Sequence, residues 1–323
     1  MQGKELRIIF MGTPDFAVAS LQELIEGGYN VVGVITALDK PAGRGKKINE
    51  SAVKKYAVEK ELNVLQPDKL KNPEFLKELK LLRADLQVIV AFRMLPEVVW
   101  NMPKLGTFNL HGSLLPQYRG AAPLNWAIIN GETKTGVTTF LLDQKIDTGK
   151  ILFKKEIVIS ENDTVGNIHD RLMDIGAKLV VETVNAIADG NAKAVSQSEI
   201  MSESEIKHAP KIFKEDCKID WTKDSKSIRN LIRGLSPYPA AWTNLVHKES
   251  GKEIQTKIFF AGKINLNENT EPGIIVTDEK TFVNVACGMG WLKITDLQIA
   301  GKKRMKVEDF LRGFQQIGEY EFV

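Results

Sequence analysis

The sequence predicts an α/β fold: a mostly parallel sheet with helices on both faces, followed by a smaller β-rich domain. Three observations carry this. Strand-like and helix-like runs alternate through the first half of the chain, the rhythm of βαβ units. Residues 191–213 then become rich in Ser, Glu, Lys and Ala, with Pro210 near their end, and read as a linker. Beyond them come short apolar runs punctuated by Gly, Asn and Pro, as in a small barrel. At 323 residues, two domains are the natural expectation. Their bounds are set at 1–190 and 214–323, on either side of the linker.

The elements follow in order. Leu6 to Met11 is short and apolar, a first strand. Ala17 to Ile25 carries helical spacing and stops at Gly27-Gly28. Asn30 to Thr36 encloses Val-Val-Gly-Val-Ile, a second buried strand. Ser51 to Glu61 reads as helix, Asn63 to Gln66 as extended, and Pro73 to Leu82 as helix. Asp85 to Phe92 reads as a central strand, and Thr107 to His111 as the next. Thr135 to Leu142 and Lys150 to Ile159 form a β-pair at the sheet edge, joined by Asp143 to Gly149. Asp163-Thr164 caps a helix that reaches about Ala188 and ends at Gly190. In the second domain Asp224 to Leu235 is helical and is stopped by Ser236-Pro237. Short strands are expected at Thr243 to His247, Thr256 to Ala261, Gly273 to Thr277, Phe282 to Ala286 and Leu292 to Ala300. The first domain is thus a Rossmann-like open sheet. Such sheets bind ligands at the carboxyl ends of strands, near a switch in strand order.

Composition removes several classes of function. Cys217 and Cys287 have no paired spacing, so they read as buried free thiols in a reducing compartment. The four histidines show no ligand spacing, so no metal is expected. After the first strand, Gly12-Thr-Pro-Asp-Phe-Ala17 holds one of the three glycines of a dinucleotide turn, and no phosphate loop occurs. The run Ile8 to Met11 meets Gly12 and Pro14 too soon for a signal sequence. No apolar stretch approaches the ~20 residues of a membrane span. The chain reads as cytoplasmic and monomeric. Its net charge is +3. Residues 1–210 carry 26 basic and 26 acidic side chains, and residues 211–323 carry 18 and 15, so the excess sits in the last third. That is mild support for a domain facing a polyanion.

The most informative stretch is Phe108-Asn-Leu-His-Gly-Ser-Leu-Leu-Pro116. On a strand, Asn109 and His111 share one face. An amide donor and a neutral-pH acid/base therefore project together from a strand end. Asp147 follows 36 residues after His111. Together the three suffice to stabilise an oxyanion, move a proton and orient an imidazole.

The surrounding text resembles the folate-dependent formyltransferases. Asn109, His111, the Ser113-Leu-Leu-Pro116 stretch and Asp147 carry the core of that resemblance. It extends through Tyr118-Arg-Gly-Ala-Ala-Pro-Leu-Asn-Trp126, Phe10-Met-Gly-Thr-Pro-Asp-Phe16 and Lys40-Pro-Ala-Gly-Arg-Gly-Lys-Lys47. It continues through Ala209-Pro-Lys211, Ile219-Asp-Trp221, Ile232-Arg-Gly234 and Pro237-Tyr-Pro-Ala-Ala-Trp-Thr243. The resemblance implies an OB-like barrel for the second domain, with a role in tRNA binding. It implies 10-formyltetrahydrofolate as formyl donor and the α-amine of initiator methionyl-tRNA as acceptor, for translation initiation. A nucleotide-linked amino sugar is the alternative acceptor.

The resemblance assigns catalysis to Asn109, His111 and Asp147. Asp147 then fixes the histidine tautomer, raises its pKa or positions a water. It assigns folate contacts to Ser113, Leu114, Leu115 and Pro116, with Phe92 and Asp143 as further lining. Phe92-Arg93 stands where relatives often have Tyr-Gly. The loop Asp39-Lys-Pro-Ala-Gly-Arg-Gly-Lys-Lys47 is implied to enter the tRNA acceptor stem, with Arg44, Lys46 and Lys47 as contacts. Trp126, Trp221, Trp242 and Trp291 read as packing residues rather than base-stacking platforms.

Overall fold

Chain direction reverses sheet growth once, and that reversal positions the site. The structure is a computed structural model describing residues 2–42, 47–266 and 270–323. Contacts divide it into two units. The first comprises Met1–Gly120, Thr135–Ile157 and His169–His208; the second comprises Ala121–Lys134, Val158–Ile168 and Ala209–Val323.

In the first unit, β1 (Ile8–Gly12) is buried along its whole length, as expected of a strand with both faces covered. Helix α1 (Asp15–Glu26) returns the chain to β2 (Val31–Ile35). A short antiparallel hairpin follows, β3 (Lys40–Ala42) with β4 (Lys47–Asn49). Helix α2 (Ala52–Glu59), capped by the Ser51 hydroxyl, leads to β5 (Val64–Leu65). Helix α3 (Pro73–Leu81), capped by Asn72, leads to β6 (Leu86–Val90), and a four-residue turn of helix α4 (Glu97–Trp100) to β7 (Thr107–His111). Two residues of extended chain, β8 (Arg119–Gly120), precede helix α5 (Pro123–Ile129), which belongs to the second unit. The edge pair β9 (Lys134–Leu141) and β10 (Ile151–Val158) comes next, and then the long helix α6 (Val165–Ala188).

The sheet order is β10-β9-β7-β6-β1-β2-β5. The strands from β7 to β5 are mutually parallel, while β9 runs antiparallel to β7. After β5 the chain crosses back to lay β6 on the other side of β1, so the switch in strand order lies between β1 and β6. The carboxyl ends of β1, β6 and β7 adjoin there, with Gly12 opposite Val90 and Val90 opposite Leu110. This is where open α/β sheets expose loops to ligands.

After the short extended segment β11 (His208–Ala209) the chain enters the last and longest stretch of the second unit. Helix α7 (Ser225–Leu235) is capped by Asp224, whose carboxylate accepts from the Ser227 N–H at 3.0 Å. The sheet that follows contains β12 (Ala241–His247), β13 (Glu253–Ile264), β14 (Ile275–Thr277), β15 (Val283–Ala286), β16 (Trp291–Ile299), β17 (Met305–Lys306) and, after helix α8 (Val307–Gly313), β18 (Tyr320–Phe322). Its order is β14-β15-β16-β13-β12-β18, with β17 on β16. A bridge between Ile274 and Glu321 brings the two ends together, so the sheet is nearly closed. Closure removes the exposed edges that an open sheet would leave. It depends on Gly273, whose φ is +91° and where a Cβ would sit 2.1 Å from the Phe322 carbonyl oxygen.

Several elements differ from the sequence expectation. Helices α4 and α5 span four and seven residues, too few turns for a periodic pattern to register. Helix α8 and strand β18 also went unanticipated. β13 is twelve residues long, running well past the expected Thr256 to Ala261. Residues 191–208 carry two 3-10 turns, and Gln197 and Ile206 are buried within the first unit. Trp221 and Trp291 are buried in the second unit's core, and Trp221 stacks on Phe322. Among the described residues no helix is long and apolar enough to cross a membrane.

Asp296 on β16 has a side chain only 7% exposed and pairs with Arg304 at 2.7 Å and Lys306 at 3.3 Å. Burial opposes its ionisation, but Arg304 and Lys306 outweigh burial and hold the carboxyl below its ordinary value. A carboxyl lowered in this way stabilises the fold above its unfolded pKa of about 4, and that contribution disappears as pH falls through the folded value. Asp296→Asn is expected to lower the melting temperature at pH 7 by several degrees and to flatten the loss of stability in acid. Identical melting curves for both proteins from pH 7 to pH 3 would show that the pair contributes nothing.

Candidate functional site

Strand β7 ends at the switch-point side of the sheet, and His111 is its last residue. The segment after it turns back so that its carbonyls and amides face the strand end. His111 is buried, and its Nε2 lies 2.9 Å from the Tyr118 carbonyl oxygen. A carbonyl only accepts, so this contact places the proton on Nε2 and leaves Nδ1 as the free lone pair. Nδ1 lies 3.8 Å from Asp147 Oδ2. That is too long for a hydrogen bond, so the carboxylate faces the ring nitrogen without binding it.

Asp147 belongs to the β9–β10 connection. Its side chain is 14% exposed, and its backbone is left-handed with φ +55°. Aspartate tolerates that region better than most residues. The Gly120 N–H donates to Asp147 Oδ2 at 2.9 Å. Nearby, a Cβ on Gly149 would lie 1.6 Å from the Leu141 carbonyl oxygen, so only glycine lets the chain pass this closely. The Phe140 ring meets the His111 imidazole edge-on, with centroids 6.4 Å apart.

Asn109 stands two residues before His111, on the same face of β7, and is half-buried. Among the described residues its side-chain amide makes no hydrogen bond. A partly desolvated amide without a partner beside an imidazole and a carboxylate is a donor available to a ligand. The three groups can together bind a developing negative charge and relay a proton.

The Ser113–Pro116 stretch follows His111 after one residue, and three of its four residues are buried. Ser113 is buried and donates to the Gln117 carbonyl at 2.6 Å. Thr138 on β9 donates to the Ser113 carbonyl at 2.7 Å and accepts from the Leu115 N–H at 3.1 Å. Leu115 packs with Phe140 and Ile151, while Leu114 stays half-buried. Phe92 follows β6 at the same end of the sheet and packs on the cluster around Ile89, Leu95 and Val99. The neighbouring Arg93 guanidinium is occupied by the Asp68 and Pro67 carbonyls. Asp143 is exposed, and its carboxylate accepts from the Lys145 N–H at 3.0 Å and the Thr148 hydroxyl at 2.6 Å. That use ties the loop to itself. Arg44 and Lys46 lie outside the described residues, and of Lys47 only the backbone is described.

Two side chains here were given no role by sequence. Arg119 sits within the quoted motif between Tyr118 and Gly120. Gln197 falls in the stretch read as linker, where its composition carries no signal.

Comparison with known proteins agrees along the whole chain. The formyl transferase family model matches residues 6–184, and the formyl transferase C-terminal domain model matches residues 211–315. A methionyl-tRNA formyltransferase of Parabacteroides distasonis is 58% identical over 322 residues, covering 99% of each chain. One of Bacteroides fragilis is 56% identical over 314 residues, covering 97% of each. Among solved structures, HypX from Aquifex aeolicus in complex with tetrahydrofolic acid aligns with a TM-score of 0.63 at 21% identity. The alignment covers 95% of this chain and 47% of that one, so this chain spans about half of HypX. An N-formyltransferase from Helicobacter canadensis in complex with folinic acid and dTDP-3-aminofucose gives a TM-score of 0.63 at 21% identity, covering 90% and 98%. At such identity the structural likeness concerns the fold.

The close passage at Gly149 yields a direct test. Gly149→Ala is expected to destabilise the fold by at least about 2 kcal/mol, since a backbone carbonyl cannot move aside as a flexible side chain can. A melting curve superimposable on that of the parent protein would show that the loop relaxes without cost.

Proposed function

The chain belongs to the methionyl-tRNA formyltransferase family, and from that premise we propose that it transfers the formyl group of 10-formyltetrahydrofolate to the α-amine of initiator methionyl-tRNA. The observation that carries this reading at the site is the unpartnered Asn109 amide beside a histidine whose Nδ1 is free and faces a carboxylate. Full-length identity of 54–58% to relatives of that name supports the choice of acceptor.

The residues present fit a folate donor. Leu114 and Phe92 are half-buried and keep apolar surface for a flat heterocycle, while Leu115 and Pro116 are buried and support the loop from within. Asp143 joins this lining only if it releases the Thr148 hydroxyl and the Lys145 N–H. The donor supplies an activated formyl carbon. The neutral amine attacks it directly, a new C–N bond forms, and the bond from the formyl carbon to N10 of the folate breaks.

The chain's own groups do the rest. Asn109 donates its amide N–H to the formyl oxygen as negative charge develops there, worth about 3 kcal/mol for one such donor. His111 Nδ1 takes the proton lost by the attacking nitrogen and returns it to N10 of the departing folate. The Tyr118 carbonyl keeps the other ring nitrogen protonated throughout. Asp147 steadies the imidazolium between the two transfers. No covalent formyl-enzyme is needed, and the reaction runs in a ternary complex.

The acceptor is macromolecular, and we assign its binding to the basic loop with Arg44, Lys46 and Lys47 and to the barrel domain. The excess of basic over acidic side chains beyond residue 210 supports this assignment. The domain division that goes with it is a catalytic part over 1–190, a connecting stretch over 191–213 and a tRNA-binding part over 214–323. The same reading has the protein act in the cytoplasm as a monomer.

A formylation assay tests it directly. Initiator tRNA charged with methionine should be formylated, and an amino-sugar nucleotide should not. Formylation of the sugar nucleotide alone would reverse the assignment. In the same assay Asn109→Ala, His111→Ala and Asp147→Ala should each lower turnover by at least about 10²-fold with folding intact. Near-normal turnover in any one removes that residue from the mechanism. Removal of the Arg44 side chain should lower kcat/KM for the tRNA substrate and leave folate affinity unchanged. Arg44→Lys should rescue it only partly, because the planar fork is lost while the charge stays. Full rescue by lysine would reduce the role of Arg44 to charge attraction.

A further inference from the structure

A closed ring of contacts surrounds the His111–Asp147 pair, and one member comes from far along the chain. Gln197 is 2% exposed. Its Nε2 donates to the carbonyl oxygens of Asp147 and Gly149, both at 2.8 Å. Its Oε1 accepts from Arg119 Nε at 3.0 Å. Both donors and the acceptor of the carboxamide are thus used, which no other residue of this size could match. Arg119, with 8% of its side chain exposed, also donates from Nη1 to the Glu203 carboxylate at 3.0 Å.

The ring closes through the backbone. Tyr118, just before Arg119, gives its carbonyl to His111 Nε2, and Gly120, just after it, gives its N–H to Asp147 Oδ2. Arg119 is therefore the pivot between the anchor of the histidine and the anchor of the aspartate. Gln197 joins that pivot to the backbone of Asp147 itself. The segment bearing Gln197 is fixed in turn by Val195, which exchanges two backbone hydrogen bonds with Ile151 at 2.8 and 2.9 Å. Asp147 has left-handed backbone, a conformation that persists only where its surroundings hold it.

We propose that Gln197, acting through Arg119 and the Asp147 backbone, is a positioning residue that sets the separation of His111 and Asp147, a proposal that rests on the formyl-transfer reading of that pair. A carboxamide is required. A carboxylate would face two carbonyl oxygens without a proton to offer, and an apolar side chain would leave both carbonyls and the Arg119 Nε unserved. Displacement of a catalytic group by about 1 Å costs on the order of 10²-fold in rate, so loss of this support should be visible in turnover.

The test uses the full chain with Gln197→Met, which keeps the length, and Gln197→Glu, which keeps the bond to Arg119 and loses both donors. We expect kcat to fall by about 10- to 100-fold in each, with KM for folate and for methionyl-tRNA within about twofold of the parent. In the substrate-free protein the imidazole resonances of His111 should shift, while those of His169, His208 and His247 stay in place. Parental kcat with an unmoved His111 resonance in either variant would overturn the proposal. So would collapse of both variants to unfolded chains, which would make Gln197 a packing residue. A parent protein that fails to formylate methionyl-tRNA, with the His111 shift still present, would instead defeat the functional reading and leave the positioning role standing.

Discussion

Everything at this site depends on the short turn Tyr118–Gly120. Its backbone reverses, with Tyr118 at φ +61°, so that a carbonyl and an amide two residues apart point at two different side chains. The carbonyl sets the tautomer of His111, and the amide holds the carboxylate of Asp147. Neither functional group is positioned by its own neighbours alone. His111 comes from the end of a central strand, while Asp147 comes from the loop between the neighbouring strands β9 and β10. A backbone segment bonded to both is the economical way to keep them at a fixed separation, because peptide groups have no rotamers to lose.

The rest of the first unit serves to keep that turn and its partners dry and still. Parallel strands buried on both faces give β7 little freedom, and the apolar packing of Leu115, Phe140 and Ile151 lies beneath the loop after it. Thr138 binds both Ser113 and Leu115, so the loop after His111 is stitched to β9. In such a low-dielectric setting a 3.8 Å separation between an imidazole nitrogen and a carboxylate oxygen matters more than it would in water. The second unit solves a different problem. An antiparallel sheet of short strands closes almost fully, so its backbone groups are paired without helices on both faces.

Much of this was legible in the chain itself, for particular reasons. Buried parallel strands read as largely apolar runs, as at Ile8, Val31 and Leu86, while β7 is legible by its alternation, Thr-Phe-Asn-Leu-His. The pairing of Asn109 with His111 follows from the two-residue period of a strand, so the sequence alone puts them on one face. Helices α4 and α5, by contrast, are too short to declare a period. β18 is three residues whose only reason to be extended is the neighbour they close against.

Local patterns thus determined the fold class, the strand that bears Asn109 and His111, and the loop that bears Asp147, because backbone periodicity and turn chemistry act between near neighbours. What joins those parts was decided by the tertiary structure. The 3.8 Å approach of Asp147 to His111, the occupation of Asp143 and Arg93 by local bonds, and the reach of Gln197 to the Asp147 loop across 50 residues have no sequence signature. Each is a hydrogen bond or contact between segments that meet only when the sheet forms. A buried glutamine reads the same as an exposed one until its partners are in place.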